Sequence, residues 1–282
     1  MGDASSADET DPFAPFARLG DADMRLDRGA ALIAGGEDSQ RVDACIAKLD
    51  ALAERARPLV EQHTEGGQRL RALLDFLFED HGLRGNTQDY YDPRNSFIDD
   101  VLEQRRGIPI SLAVIYIEVG RRLGVPLSGV GFPGHFLISY PSAPAVFIDP
   151  FAPGRLMTTR DCAQILEQQS GGKLQLSPEH VRVATTREIL VRMLGNLKMV
   201  HAHRDEPQLA IRACNRMLWL LPDATTELRD RGALHYRTGA LRSARQDLER
   251  YLERAGDDGD AEDAGEVHAL LAKIEQGMRA LN

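Results

Sequence analysis

The stretch RRGIPISLAVIYIEVGRRLGVP, residues Arg105–Pro126, decides how the rest of the chain is read. From Ile108 to Leu123 it carries few polar residues, with Glu118 its one acid, and its length favours a buried helix over a strand. Gly124-Val125-Pro126 ends that helix through a glycine C-cap followed by a residue that cannot continue it. Next come Leu127 to Val130, Phe136 to Tyr140 and Val146 to Ile148, short β-rich pieces bounded by Gly, Pro, Ser and Asp. These predict one antiparallel sheet packed on the helix, hence an α+β fold.

Working outward, the helical period dominates. Leu26 to Ile33, Val42 to Ala53 and Leu70 to Phe78 each place apolar residues at helical spacing. Gly82 to Asn95 is rich in Gly, Asn, Asp and Tyr and reads as a loop. Ser96 with Asp99 fits a capping box opening a helix from Phe97 to about Gln104. A further helix is expected at Thr159 to Gln168, with a turn at Ser170-Gly171-Gly172. From 187 onward everything is helical. A period of 34 sets Ala210 over Ala244, Cys214 over Leu248 and Met217 over Tyr251, the spacing of tetratricopeptide (TPR) repeats. Gly256 to Gly265 reads as an acidic spacer, and Val267, Leu270, Leu271, Ile274 and Met278 line one face of a capping helix. The organisation expected is a disordered N-terminus over 1–11, an α+β domain over 12–186 and TPR-like helices over 187–282, in line with roughly 150 residues per domain.

Composition removes several classes of function. The net charge is −9, and no Lys/Arg cluster interleaved with aromatics offsets it, so the mean field opposes nucleic acid. Apolar runs are broken by charges before the roughly 18 residues a membrane span needs. The acidic opening MGDASSADETD is the reverse of a secretory signal. Three widely spaced cysteines, Cys45, Cys162 and Cys214, fit no disulfide framework or metal clip and point to a reducing, cytoplasmic compartment. His201 and His203 are too close for an i, i+4 metal pair, and no nucleotide or zinc-hydrolase motif is present; neither metal nor cofactor is expected.

Chemistry concentrates around the opening stretch. A buried helix is followed by His135, after Pro133-Gly134 at the start of one strand, and by Asp149, before Pro150 at the end of the next. That order is the layout of a Cys-His-Asp site, in which a thiolate at a helix N-terminus is paired with an imidazole oriented by a carboxylate. His135 also has a structural reading, as a hydrogen-bonded tie for the sheet, and Asp149 a reading as a turn former.

RRGIPISL together with PGHF and IDPF resembles the transglutaminase-like domain of the SirB family, in which TPR-type helices follow. The resemblance implies a papain-like fold, with a helical half, an antiparallel sheet and a nucleophile at the start of the central helix, and it sets His135 and Asp149 on the family's histidine and aspartate positions. The nucleophile does not carry over. Laying Gly124-Val125-Pro126 on the end of the superfamily's pattern, Gly-x-Cys, helix, Gly-Ile/Val-Pro, sets Gly107-Ile108-Pro109 on its beginning, so Pro109 stands where the cysteine would. Proline offers neither an attacking atom nor a backbone N–H.

Ser111, two residues on, opens an alternative. A Ser111-His135-Asp149 arrangement would give a hydrolase or acyltransferase. Against it, two residues along a helix rotate the side chain by about 200°, and Ser111 suits a capping role equally. Tyr90 and Tyr91 in the long polar loop, and Arg106 beside the helix, are the remaining cleft candidates; each has a bland reading as packed or solvated. The sequence therefore predicts a transglutaminase-like domain without thiol chemistry, joined to helices that bind a protein partner; the ligand, if a small one exists, is left unnamed.

Overall fold

The computed structural model describes residues 10–152, 156–255 and 261–280, the side chains of 261 and 262 apart. Residues 1–9, most of the stretch expected to be disordered, lie outside them, as does half of the acidic spacer. The other half is not spacer, since 261–265 already belong to a helix. Contacts divide the chain into two compact units, Thr10–Met193 and the residues from Leu194 onward.

In the first unit, α1 (Phe13–Ala17), α2 (Leu26–Gly35), α3 (Ser39–Glu61) and α4 (Gly66–Asp75) precede a single π-turn at Phe76–Asp80. Then come β1 (Arg84–Gly85), α5 (Ile98–Gln104), β2 (Arg106–Gly107) and the central helix α6 (Pro109–Arg122). Proline at the first turn of α6 loses no intrahelical bond, because that N–H has no partner there anyway. Residues 109–120 of α6 are buried without interruption, which is why its sequence lacks an amphipathic stripe. Gly124, at φ +65°, takes the left-handed conformation that ends it.

β3 (Ser128–Val130), β4 (Leu137–Ser139), β5 (Val146–Ile148) and β6 (Leu156–Thr158) form an antiparallel meander in that order, followed by α7 (Thr159–Ser170). β6 has no counterpart in the sequence reading. Only its Met157 is buried, so it offers one alternation and no apolar run. Val130, Phe132, Leu137, Phe147 and Met157 from the sheet pack with Cys162 and Leu166 of α7. β1 and β2 form a separate two-residue parallel pair, Arg84 against Arg106 and Gly85 against Gly107.

The expected capping box at Ser96 is corrected. The N-cap of α5 is Phe97, which has no side-chain cap, and Ser96 instead closes a 3-10 turn over Pro93–Asn95. The Ser96 hydroxyl is buried without a partner. Asp99 is drawn elsewhere, its Oδ2 accepting from Arg41 Nε of α3 at 2.6 Å.

A buried ion cluster ties α2 to α6. Fully buried Asp27 accepts from Arg25 at 2.6 Å, Arg122 at 2.8 Å and Arg121 at 3.1 Å. Arg122 also reaches buried Glu118 at 2.7 Å. Burial alone would push the Asp27 carboxyl up, but its hydrogen bonds and charge pairing with Arg25 and Arg122 hold it below the usual range.

α8 (Thr186–His203) contains the division between the units. In the second unit α9 (Pro207–Leu220), α10 (Thr225–Arg237), α11 (Leu241–Ala255) and α12 (Ala261–Ala280) follow, all helical as the 34-residue spacing predicts. Ala210, Cys214, Ala244 and Leu248 are buried at their repeat positions. Gly232 is small by necessity, because a Cβ there would lie 2.7 Å from Leu248. Leu228, Leu248, Tyr251, Val267 and Ile274 make the core that α12 closes.

Candidate functional site

Antiparallel pairing of β4 with β5 brings the beginning of one strand beside the end of the next, with Ile138 opposite Ile148. His135, three residues before Ile138, and Asp149, one after Ile148, therefore share one end of the sheet. Their side chains meet, with His135 Nε2 2.8 Å from Asp149 Oδ1. That oxygen also accepts from the backbone N–H of Phe151 at 2.9 Å and Ala152 at 3.2 Å. Asp149 thus forms an Asx-type turn and holds the imidazole with the same atom, so its two sequence readings are compatible. Burial would push the Asp149 carboxyl up; the His135 hydrogen bond and charge, with the two N–H donors, outweigh it and hold the group below its ordinary value. An ionised carboxylate only accepts, so Nε2 is the donor, and in the neutral ring Nδ1 is left as an acceptor.

His135 is held from behind as well. Gly134 turns the chain at φ +68°, and Arg192 of α8 donates to the carbonyls of His135 at 2.5 Å and Phe132 at 3.0 Å while lying over the Phe136 ring. Phe151 meets the imidazole edge-on, with centroids 6.5 Å apart. Tyr90 packs against Phe151 at 6.3 Å and against Tyr91 at 5.6 Å. Both tyrosines are exposed, with Tyr90 nearer the pair and Tyr91 one ring farther out. Gly85 lies so close to Phe151 that a Cβ would fall 2.5 Å from its ring, which is the packing reason for a glycine in β1.

Ser111 does not join the pair. Its hydroxyl is fully buried, donates to the Asn95 carbonyl at 2.5 Å and accepts from Ile108 N at 3.2 Å, capping α6 and fastening the preceding loop. Asn95 continues the fastening: its side chain donates to the Asp89 carbonyl at 2.7 Å and accepts from Asn86 at 2.9 Å. Sequence reasoning singles out neither asparagine, nor Arg192. The available signal was two Asn within a loop that must lie against a buried helix, where backbone groups need side-chain partners.

Pro109 is buried at the first helical position of α6. Tyr116, seven residues on, completes almost two full turns and so shares its face of the helix. Tyr116 lines a pocket together with Asp149, so the 109/116 face is turned toward the carboxylate, while Ser111 looks away from it toward Asn95. Arg106 is exposed and donates to Gln88 at 3.2 Å. Cys45, Cys162 and Cys214 are buried elsewhere, their thiols pushed up by burial to about 12, 11 and 12. Among the described residues no group of three His, Cys, Asp or Glu side chains could hold a metal, and no helix is long and apolar enough to cross a membrane.

With this geometry in place, comparison with known proteins gives the family. Residues 43–195 match the model of the transglutaminase-like superfamily, and residues 197–272 match that of the tetratricopeptide repeat. A UPF0162 protein of Xylella fastidiosa is 38% identical over 246 residues, covering 84% of this chain and 86% of that protein. One from Vibrio cholerae is 31% identical, covering 75% and 78%. The human F-box only protein 21 is 33% identical over 139 residues, 46% of this chain but 21% of that protein. No solved structure matches. The chain belongs to the transglutaminase-like superfamily and, within it, to the family of UPF0162 proteins.

Proposed function

We propose that this protein is a non-catalytic member of its superfamily, working as a protein-interaction or regulatory module through the His135 face and the TPR helices. The observation that carries this reading is the pair of residues at the start of α6. Pro109 occupies the position that the sequence register gives to a nucleophile, and the Ser111 hydroxyl is spent on Asn95 and Ile108. His135 and Asp149 then form an orienting pair with no attacking atom to activate. TPR helices in the second half favour a protein partner, because such repeats present extended side-chain surfaces to other chains.

On this reading residues 12–186 are the transglutaminase-like domain and 187–282 the partner-binding repeats. The RRGIPISL, PGHF and IDPF block supports placing the chain with the SirB proteins, and three buried, unpaired thiols favour a reducing cytoplasm. Labelling tests the idea. Intact chain treated with a fluorophosphonate and with iodoacetamide should keep its native mass, whereas stoichiometric modification lost in His135→Ala would establish a working nucleophile and contradict it.

A further inference from the structure

Beside the orienting pair, on the aspartate side, is a cavity of about 160 Å³. Leu70, Leu74 and Phe78 from α4 and the turn after it, with Leu156 of β6, make its apolar wall. Tyr116 closes it from α6 and Asp149 from the end of β5. A cavity of roughly 150 Å³ lined by apolar side chains is large enough to take a benzene ring. The space therefore fits one aromatic or branched aliphatic group.

Two further observations define what that group carries. Tyr116 is only 3% exposed and lines the cavity, and its hydroxyl makes no hydrogen bond to any described residue. A hydroxyl with no internal partner is open to a ligand as donor or acceptor. The charged side chains around the cavity are Arg71 against Asp75, Glu79 and Asp149. Arg71 is already paired with Asp75 at 2.9 Å, and Glu79 has no ion pair among the described residues. One arginine among three carboxylates leaves a negative field over an apolar hole.

We infer that this pocket binds a small amphipathic cation: an amine bearing a single phenyl- or isobutyl-sized group, the ammonium set among Asp149, Glu79 and the Tyr116 oxygen. This rests on reading the His135 face as a binding surface and gives that surface a ligand chemistry. No bond is made or broken.

The test is a calorimetric titration of the full chain at neutral pH with 2-phenylethylamine, alongside 2-phenylethanol and 3-phenylpropionate. The expected result is saturable binding of the amine in the millimolar range, about tenfold tighter than the neutral alcohol, with the anion weakest. Tyr116→Phe, which keeps the shape, should weaken the amine about three- to tenfold. Leu74→Trp should fill the hole and abolish binding. Equal affinity for amine and alcohol, no saturation, or unchanged binding in Tyr116→Phe would overturn the inference, and that last variant decides alone if Leu74→Trp does not fold. Mass spectrometry of each titrated sample separates the two readings. Amine incorporated into product would contradict the non-catalytic function, whereas failure to bind without turnover would overturn the pocket's ligand only.

Discussion

The Ser111 hydroxyl donates to the Asn95 carbonyl at 2.5 Å, across the junction between the central helix and the loop that carries Tyr90 and Tyr91. This bond separates two uses of a helix N-terminus. In a hydrolytic site the hydroxyl would face the imidazole; here it is a structural clasp, and the loop it holds delivers Tyr90 to the Phe151 ring, which in turn meets His135. The same oxygen lies 2.7 Å from where a Cβ on Gly107 would sit, so the clasp depends on a glycine in β2 as well.

Ser111→Ala should therefore lower stability without altering any chemistry. It removes the hydroxyl's bonds to the Asn95 carbonyl and the Ile108 N–H, which keep their 3.3 Å bond to each other, a loss of about 0.5–1.5 kcal/mol. Urea denaturation should show a lower midpoint at unchanged slope. A variant as stable as the parent would mean that the hydroxyl does not hold the loop.

Asp27 is the anchor of the cluster between α2 and α6, with three arginines around one fully buried carboxylate. Asp27→Ala takes away the carboxylate shared by three arginines and leaves Arg122, whose side chain is only 10% exposed, with Glu118 and Asp50 alone. Removing one partner of a buried pair costs about 3–5 kcal/mol. Thermal melts should show a large drop in Tm that 1 M salt does not restore; a drop no greater than that of a surface ion pair would rule the cluster out as an anchor.

Acid should weaken the fold through His81. Its ring is buried and stacked on Phe76, and Nε2 lacks a partner. Burial, helped by the charges of Arg55 and Arg105, pulls its pKa from 6.5 down to about 4. The folded value lies below the unfolded one, so the unfolded chain takes up the proton first. Stability is thus intact above pH 6.5, falls as pH drops toward 4 and stops falling below it, by up to about 3 kcal/mol. Urea midpoints at pH 7 and 4.5 should differ less in His81→Phe than in the parent. Equal differences would remove His81 as the cause.

The cysteines should be silent in the native protein. All three are buried with thiols pushed up to about 11 or 12. Ellman's reagent should titrate them only after denaturation, and rapid reaction of any one under native conditions would reveal an accessible thiolate.

What could be read from the sequence was whatever lies in local pattern. Proline at 109 and Gly124-Val125-Pro126 mark both ends of α6, because a proline at the first turn and a left-handed glycine act within a few residues. His135 and Asp149 were legible as a pair because short antiparallel strands place the start of one beside the end of the next. Contacts that depend on distant segments were not legible. Asp99 looked like a capping partner for Ser96 until Arg41, far upstream, took its carboxylate. Asn95 and Arg192 act through backbone carbonyls, and Asn86 through the Asn95 side chain, all partners that folding brings close. β6 escaped because a three-residue strand with one buried side chain has no period.

The most direct test of a transglutaminase-like fold without a nucleophile is turnover itself. Purified intact chain, assayed with amide, ester and amine substrates, should show no product above the buffer rate, and His135→Ala should behave the same. Turnover by the parent that disappears in His135→Ala would contradict the account.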